Sequence, residues 1–454
     1  MESKTHICRN YSNFGFGQSE IFFPRNNDEI FKILDYTKRS NKKVLCIGSS
    51  LSWYDTILNT NNVIINLKNY EKNFSLNEDS NILTVSSSFK IGEILNKLSE
   101  KNLSLFSLPG HLDVTIGGCV ANDVHGKDTY KNGNFGTNIV SIEIILPNKQ
   151  VVECSREKNK ELFLSTIGGL GLTGVISKIS INLKKITNFY ETTNFMCANY
   201  KELIKSLYYK RNDYDYIYGW VDALSDKENI GRGVIFKSKK IFNTKKTLNT
   251  RFYENLFTFL KGLIFSFSIK TNLIKYLNIL FFYSHFFNKR SIETYNAITS
   301  PLKTSGIDLK KIKLCPPYSF LEVQIILKEE TLPESLYEFL NKCQKLKLKG
   351  SIVGIKMHKK SSGYLSFSDD GVSININHIF KPQDKKNIIS KFKILYDYLI
   401  DKNFKINIAK EFFLNKKSFE KNYPSSKNFF LIKQKYDHEQ LFSSDFLRRV
   451  LRKS

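Results

Sequence analysis

A histidine and a lysine two residues apart are the clearest candidates for acid–base chemistry in this chain. His125 and Lys127 lie within a glycine-rich stretch, residues 108–136. An imidazole titrates near neutral pH, whereas a lysine ammonium supplies a compact positive charge. Glycines allow a backbone to approach a ligand closely, and the small residues between them leave room for a flat molecule. The stretch therefore predicts a cofactor site, with an ordinary glycine-rich loop as the alternative.

Two further glycine-containing loops stand beside predicted strands. Gly48–Ser52 directly follows a short apolar strand predicted at residues 43–47, and the backbone N–H groups of such a loop can form a nest for a pyrophosphate. Gly169, Gly171 and Gly174 match the spacing G-x-G-x-x-G, but a helix is predicted before them and a strand after them. A Rossmann dinucleotide site requires the opposite order. That interpretation is rejected, and close approach to a different nucleotide cofactor stays open.

The elements that must position these residues alternate between strands and helices in the first part of the chain, which predicts an α/β or α+β domain. The strands predicted there lie at residues 63–67, 82–86, 139–146, 151–154 and 175–183, and the helices at 91–101 and 161–167. The second part has predicted strands at 216–221, 233–236, 320–327, 351–357, 372–379 and 405–408, and a helix at 384–399. This second pattern predicts an antiparallel sheet with covering helices.

The charge of the chain points to an anionic partner. Lysine and arginine number 69 against 43 acidic residues, which gives a formal net charge of +26. Such a charge favours nucleic acid, a phosphorylated ligand or an acidic membrane surface. The lysines are spread along the chain without a recognisable nucleic-acid-binding motif, so nucleic acid is not expected.

The cysteines and the N-terminus bear on the compartment. The seven cysteines are scattered and include no CxxC pair, so neither a disulfide framework nor a metal site is expected. Reduced cysteines indicate a cytoplasmic protein. The first residues lack the apolar core of a signal peptide.

An aromatic stretch at residues 256–287 raises the question of membrane contact. Lys261, Lys270 and Lys275 interrupt it, so it contains no run of about 20 apolar residues that could span a bilayer. Core helices are one interpretation. A basic, aromatic surface lying peripherally on a membrane is the other, and both stay open.

Several motifs together resemble a known family. They are TIGGCVANDVHGK at 115–127, FG at 135–136, GGLGLTGVI at 168–176, IAKE at 408–411 and the tail KQKYDHEQLFSSDFLRR at 433–449. In this order they resemble the FAD-linked oxidases of the vanillyl-alcohol oxidase/PCMH type, and within that type the oxidases of decaprenylphosphoryl-β-D-ribose. The resemblance implies an α+β fold with a PCMH-type FAD-binding domain in residues 1–187. It further implies an antiparallel-sheet substrate-binding domain with covering helices in 188–408, and a segment 409–454 that returns to the FAD domain.

The resemblance also implies site residues. Catalytic roles fall to His125, Lys127 and Lys410: either His125 or Lys410 takes or relays the proton, and Lys127 stabilises the substrate or the reduced flavin. Substrate-side positions are Gln324, Lys356 and Asn375. The implied FAD-binding residues are Gly48, Ser49, Ser50, Leu51, Ser52, Gly117, Gly118, Ala121, Asn122, Gly126, Gly169, Gly171, Gly174 and Ile176.

Three positions depart from the family pattern. Leu51 stands where related lactone oxidases carry the histidine that tethers FAD, so the flavin is expected to be non-covalent. Asn375 stands where the ribose oxidases have a cysteine, and Asn407 stands where they have a tyrosine. These two changes alter the expected shape of the pocket.

The implied activity is oxidation of a sugar hydroxyl by hydride transfer to flavin N5. A lipid-linked phosphopentose is the expected substrate, with the chain as the oxidase half of an epimerase that works with a partner reductase in cell-wall polysaccharide synthesis. The alternatives are an aldonolactone oxidase of the D-arabinono-1,4-lactone type and a basic membrane- or RNA-associated protein that retains an inactive flavin fold.

Overall fold

The computed structural model describes residues 4–225, 227–242, 273–286, 289–299, 319–350 and 353–452. The first of its sheets has the strand order β1-β2-β4-β3. Its strands are β1 (Lys4–Arg9), β2 (Phe16–Phe22), β3 (Val44–Ile47) and β4 (Val63–Asn66). The predicted strands at 43–47 and 63–67 are thereby confirmed. Strand β2 was not predicted because two of its buried positions hold Gly17 and Ser19, which give no apolar alternation.

The second sheet confirms the predicted hairpin. Its order is β5-β6-β10-β8-β9, with a further strand, β7, pairing with β10. The hairpin strands β8 and β9 pair antiparallel, and β10 follows the glycine run at 168–174 as predicted. The strands are β5 (Phe74–Asn77), β6 (Ile82–Ser86), β7 (Leu103–Leu105), β8 (Ile139–Ile145), β9 (Val151–Ser155) and β10 (Val175–Lys185).

The third sheet confirms the predicted antiparallel arrangement. Its order is β14-β11-β13-β12-β16-β17-β15-β18, and every pairing in it is antiparallel. The strands are β11 (Phe189–Cys197), β12 (Tyr216–Val221), β13 (Gly233–Ile241), β14 (Arg290–Thr294), β15 (Ser319–Leu327), β16 (Gly354–His358), β17 (Gly371–Phe380) and β18 (Lys405–Ile406).

Helices cover these sheets, and their ends follow local capping chemistry. In the first helix the Asn26 side chain accepts the Glu29 N–H, and acidic and basic residues occupy the first and last turns. The helices are α1 (Asn27–Arg39), α2 (Ile91–Ser99), α3 (Ile116–Ala121), α4 (Thr129–Asn132), α5 (Lys160–Thr166), α6 (Tyr200–Tyr208), α7 (Ile274–Ser284), α8 (Tyr295–Thr299), α9 (Leu332–Lys345), α10 (Lys385–Asp401), α11 (Lys416–Asn422), α12 (Ser426–Tyr436) and α13 (Asp445–Leu451). The mixed helix and sheet content confirms the predicted α+β class.

The C-terminal segment contacts the first sheet. Phe442 forms a parallel bridge with Val44, and the Asp445 carboxylate accepts the Thr60 N–H at 2.9 Å. Arg449 donates from Nε to Asp55 Oδ2 at 2.7 Å. These contacts bring the end of the chain back to its beginning, while the domain boundaries at 187 and 408 stay predictions.

The aromatic stretch lies partly outside the described residues, which here cover 273–286. In α7, Ile274 and Phe282 are buried, whereas Tyr276, Leu280 and Tyr283 are 64%, 65% and 56% exposed. No helix within the described part of the chain is long and apolar enough to cross a membrane.

Candidate active site

A cavity of about 420 Å³ lies where segments adjoining all three sheets meet. Loops of the first two sheets form one side of it, and strands of the third sheet with the turn after β18 form the other. The lining comes from segments 46–57, 108–127, 170–171, 218–220, 320–322, 353–356, 375–379 and 407–410. The cavity therefore joins the predicted cofactor loops to the predicted substrate-side residues.

The loop Gly48–Ser52 presents free backbone donors to this cavity. Ser50 has a φ of 56°, and such a left-handed residue turns successive N–H groups toward one point. The N–H groups of Ser49, Ser50 and Leu51 donate to no acceptor in the described part of the protein. A Cβ on Gly48 would lie 2.1 Å from Thr115 Oγ1, so the loop packs closely on the start of α3. This arrangement suits a phosphate-containing ligand.

Helix α3 adds an unsatisfied acceptor. The Thr115 side chain accepts the Gly118 N–H at 3.2 Å and caps the helix. Asn122 donates from Nδ2 to the Gly118 carbonyl at 2.9 Å, while its buried Oδ1 has no partner among the described residues. Gly118, Ala121 and Asn122 line the cavity. Gly117 lies outside the lining, packed against Ser87, whose Cβ would be 2.9 Å from an added Cβ.

The glycine run at 168–174 contributes to the cavity wall mainly through the course of its backbone. Gly171 lines the cavity and has a φ of 72°. Gly169, Gly174 and Ile176 lie outside the lining. A Cβ on Gly169 would stand 2.1 Å from the Ser165 carbonyl oxygen, which explains the need for glycine there. The run thus shapes the wall of the cavity with one lining glycine.

Lys410 forms an ion pair inside the cavity. It follows β18 in a short 3₁₀ turn, and its Nζ lies 2.7 Å from Oε1 of the buried Glu322 on β15. Asn375 on β17 donates to Glu322 Oε2 at 3.2 Å. The Lys410 ammonium also lies 5.1 Å from the centre of the Trp53 ring. Sequence reasoning missed Glu322, although an acid within the apolar strand FLEVQIIL is a detectable signal.

Lys356 is a cation without a protein partner. It lies on β16 and lines the cavity. Within the described residues its ammonium makes no hydrogen bond or ion pair. Burial, reinforced by the nearby Lys410, lowers the pKa of Lys356 to about 8. An anionic ligand group beside it would favour the charged form.

Lys127 is held at the cavity wall by a carbonyl and a ring. Its Nζ donates to the Ile298 carbonyl at 2.8 Å and lies 3.5 Å from the centre of the Tyr218 ring. Gly126, just before it, lies outside the lining, and a Cβ there would be 2.7 Å from Ser107 Cα. The backbone between His125 and Lys127 is therefore tightly packed.

His125 is half-buried at the cavity wall and kept neutral. Burial, followed by the charges of Lys356, His358 and Lys410, holds the pKa of His125 well below its usual range. Its Nε2 lies 3.3 Å from Gln324 Oε1. Gln324 itself lies behind His125 and outside the lining of the cavity.

His358 is a buried histidine that sequence reasoning missed. Its ring centre is 4.7 Å from that of His125, and burial, with the charge of Lys356, lowers its pKa to about 3. A histidine alternating with Lys356 along one strand was the available signal, because residues two apart share a strand face.

Comparison with known proteins agrees with this geometry. Residues 19–155 match the FAD-binding domain family. The chain is 25% identical to decaprenylphosphoryl-β-D-ribose oxidase of Mycolicibacterium smegmatis, over 44% of the chain and 44% of that protein. It is 23% identical to L-gulonolactone oxidase of Bos taurus, over 95% of both chains. It is also 27% identical to cytokinin dehydrogenase 2 of Arabidopsis thaliana, over 36% of the chain and 33% of that protein.

The extent of these matches differs between relatives. The chain spans less than half the length of the ribose oxidase but nearly all of the gulonolactone oxidase. The free N–H groups of the first loop, the close contact of Gly48 with Thr115 and the unpaired Asn122 Oδ1 fit a flavin dinucleotide. Residues 19–155 are therefore an FAD-binding domain with FAD as its cofactor, and the chain is homologous to decaprenylphosphoryl-β-D-ribose oxidase and L-gulonolactone oxidase.

Proposed function

We propose that this chain is an FAD-dependent oxidoreductase that acts on a CH–OH group of a phosphorylated, lipid-linked pentose. In this proposal it is the oxidase half of an epimerase and works with a partner reductase. One observation carries the proposal: Lys127, Lys356 and Lys410 line the cavity, whereas Glu322 is the one acid among the described lining residues. An excess of positive charge in the cavity wall favours an anionic substrate group.

An apolar wall supports the lipid part of the proposal. The Trp53 and Phe320 rings at the cavity lie 4.5 Å apart, edge to face. They belong to a cluster that also contains Ile379 and Ile274. Ile274 is the first residue of α7, whose opposite side exposes Tyr276 and Leu280. A hydrocarbon chain leaving the cavity along this cluster would reach an apolar surface.

The roles of the polar residues follow from their charges. Bound FAD supplies the hydride acceptor. Because its cationic neighbours oppose protonation, His125 stays neutral at the cavity wall and does not take the substrate's proton. We assign proton transfer to Lys410 and Glu322, with Lys410 as the relay and the carboxylate as the acceptor. Lys356 contacts the anionic group of the substrate.

Flavin reduction under anaerobic conditions tests the substrate class. We expect faster bleaching of the flavin by a polyprenyl-phosphate pentose than by the same pentose without phosphate or by any free lactone. Loss of the phosphate contact should cost about 1.5–3 kcal/mol, as for a hydrogen bond to a charged group. Lys356→Met should abolish the preference for phosphate, whereas Lys360→Met, an exposed neighbour, should preserve it. Equal reduction by both sugars would contradict the proposal.

An aldonolactone is the second candidate substrate. The match to L-gulonolactone oxidase over 95% of both chains favours it. Rapid bleaching by L-gulono- or D-arabinono-lactone, with no bleaching by the phospholipid sugar, would select this function instead.

A further inference from the structure

A row of buried, hydrogen-bonded polar side chains lies behind His125. Gln324 Oε1 lies 3.3 Å from His125 Nε2 and accepts from Asn407 Nδ2 at 2.9 Å. At its other end, Gln324 Nε2 lies 3.3 Å from Ser373 Oγ. Ser373 Oγ in turn lies 2.8 Å from His358 Nε2. His358 Nδ1 ends the row, 2.6 Å from Ser368 Oγ.

One backbone group fixes the direction of the hydrogen bonds that join Asn407, Gln324 and His125. The Ala409 N–H, which can only donate, lies 3.0 Å from Asn407 Oδ1. Asn407 therefore presents its NH₂ to Gln324, and Gln324 must present its oxygen to both Asn407 and His125. An oxygen at that position requires a proton on His125 Nε2. Along the other branch, Gln324 donates to Ser373, and the hydroxyls of Ser373 and Ser368 can each donate to or accept from His358.

The surroundings of the other ring nitrogen of His125, Nδ1, also indicate that the proton lies on Nε2. Nδ1 is buried and has no hydrogen-bond partner among the described residues. A proton there would leave a buried donor unsatisfied and would place two acceptors face to face at Nε2 and Gln324 Oε1. Buried donors without partners are rarer and more costly than under-used acceptors.

We propose that Asn407 and Gln324 are positioning residues that fix His125 as its Nε2–H tautomer, with the lone pair on Nδ1. His358 and Ser373 hold the far end of Gln324 in the same orientation. An effect of this tautomer on the reaction rests on the proposed function, whereas the tautomer itself does not.

Nitrogen NMR of the holoenzyme labelled with ¹⁵N-histidine tests the tautomer without substrate. Long-range correlations to the ring protons identify the protonated nitrogen, and His125→Gln assigns the signals. We expect a protonated Nε2 and an unprotonated Nδ1 at neutral pH. A protonated Nδ1 in the wild-type protein would overturn the inference.

Asn407→Asp should reverse the direction of the hydrogen bonds that join this position to Gln324 and His125. The aspartate still accepts from Ala409 but offers Gln324 an acceptor, so the Gln324 amide should turn over and move the His125 proton to Nδ1. Ser373→Ala is the matched control, because it interrupts the row beyond Gln324 and should leave the proton on Nε2. An unchanged tautomer in Asn407→Asp would show that Asn407 does not position His125. Gln324→Leu provides a second variant, in which both tautomers should coexist.

Measurements of activity distinguish the tautomer of His125 from its effect on the reaction. If the Nε2–H tautomer of His125 supports the proposed reaction, Asn407→Asp should slow flavin reduction by about 10²-fold at unchanged FAD content. A reversed tautomer with an unchanged rate would confirm the row of hydrogen bonds and would remove His125 from the proposed function.

Discussion

The ammonium of Lys410 lies 2.7 Å from the Glu322 carboxylate, which is 5% exposed. The two residues are 88 positions apart in the chain and meet because β18 pairs with β15 at the edge of the third sheet. This pair places one negative and one positive group at the same wall of the cavity.

Removing either member of this pair should disable the reaction. Lys410→Ala and Glu322→Gln should each retain FAD, because the first loop and α3 bind it, yet slow flavin reduction by about 10²-fold or more. If the two act as one unit, the double variant should lose no more than the worse single variant. Stopped-flow absorbance measures the rates. Additive losses, or normal kinetics in either single variant, would contradict the assignment.

FAD should be bound without a covalent link, because Leu51 offers no nucleophile at the tethering position. Acid precipitation of the purified yellow protein should release the flavin into the supernatant, where its absorbance can be measured. Flavin that remains with the precipitated polypeptide would show that another residue forms the bond.

Because of Lys356, the stability of the folded protein should change with pH in the alkaline range. Its pKa falls from 10.5 to about 8 on folding, so between these values the unfolded chain binds more protons and stability rises with pH. The charged form therefore destabilises the folded protein at neutral pH. Lys356→Met should raise the melting temperature there, and its advantage should shrink between pH 8 and 10.5.

Calorimetry across this pH range is the measurement, and Lys360→Met is its control, since Lys360 is exposed. The control should show no pH-dependent gain. A gain from Lys356→Met that stays constant with pH would mean that packing, and not titration, causes it.

Arg449 should be essential for anchoring the C-terminal segment. Its guanidinium donates to Asp55 and, at 2.7 Å, to the fully buried Glu411. Burial raises the pKa of both carboxyl groups, and the positive charge of Arg449 opposes that rise. Arg449→Leu should lower the free energy of unfolding by about 3–5 kcal/mol, because it leaves two buried acids unpaired. Urea denaturation measures the loss, and the exposed Arg452→Leu should change stability by less than about 0.5 kcal/mol.

The exposed face of α7 should mediate contact with anionic membranes. Co-sedimentation with anionic liposomes should weaken as salt rises, since surface attraction decays over about 10 Å at 0.1 M salt. Tyr276→Ser combined with Leu280→Ser should reduce binding. Leu431→Ser is the control, because Leu431 is 69% exposed on a different helix. Binding that is independent of salt and of the α7 changes would assign this face another role.

The sequence by itself determined the local features of this protein. Apolar alternation predicted the hairpin of β8 and β9, and the order of helix, glycine run and strand at 160–185 excluded a Rossmann site. The position of the loop Gly48–Ser52 directly after a strand predicted an anion nest from backbone chemistry alone. These features depend on residues that are close in the chain, and such neighbours leave a periodic or compositional pattern.

Only the tertiary structure decided which charged side chains form ion pairs and which do not. Glu322 reaches Lys410 through the pairing of β15 with β18, and Gln324 reaches His125 across 199 positions. Lys356 has no partner among the residues that the structure describes, while Lys127 is held by a carbonyl and a ring. Contacts of this range depend on strand order and depth of burial, which local periodicity does not encode. The same burial sets the neutral state of His125, because a pKa responds to the charges and solvent that the fold places around a group.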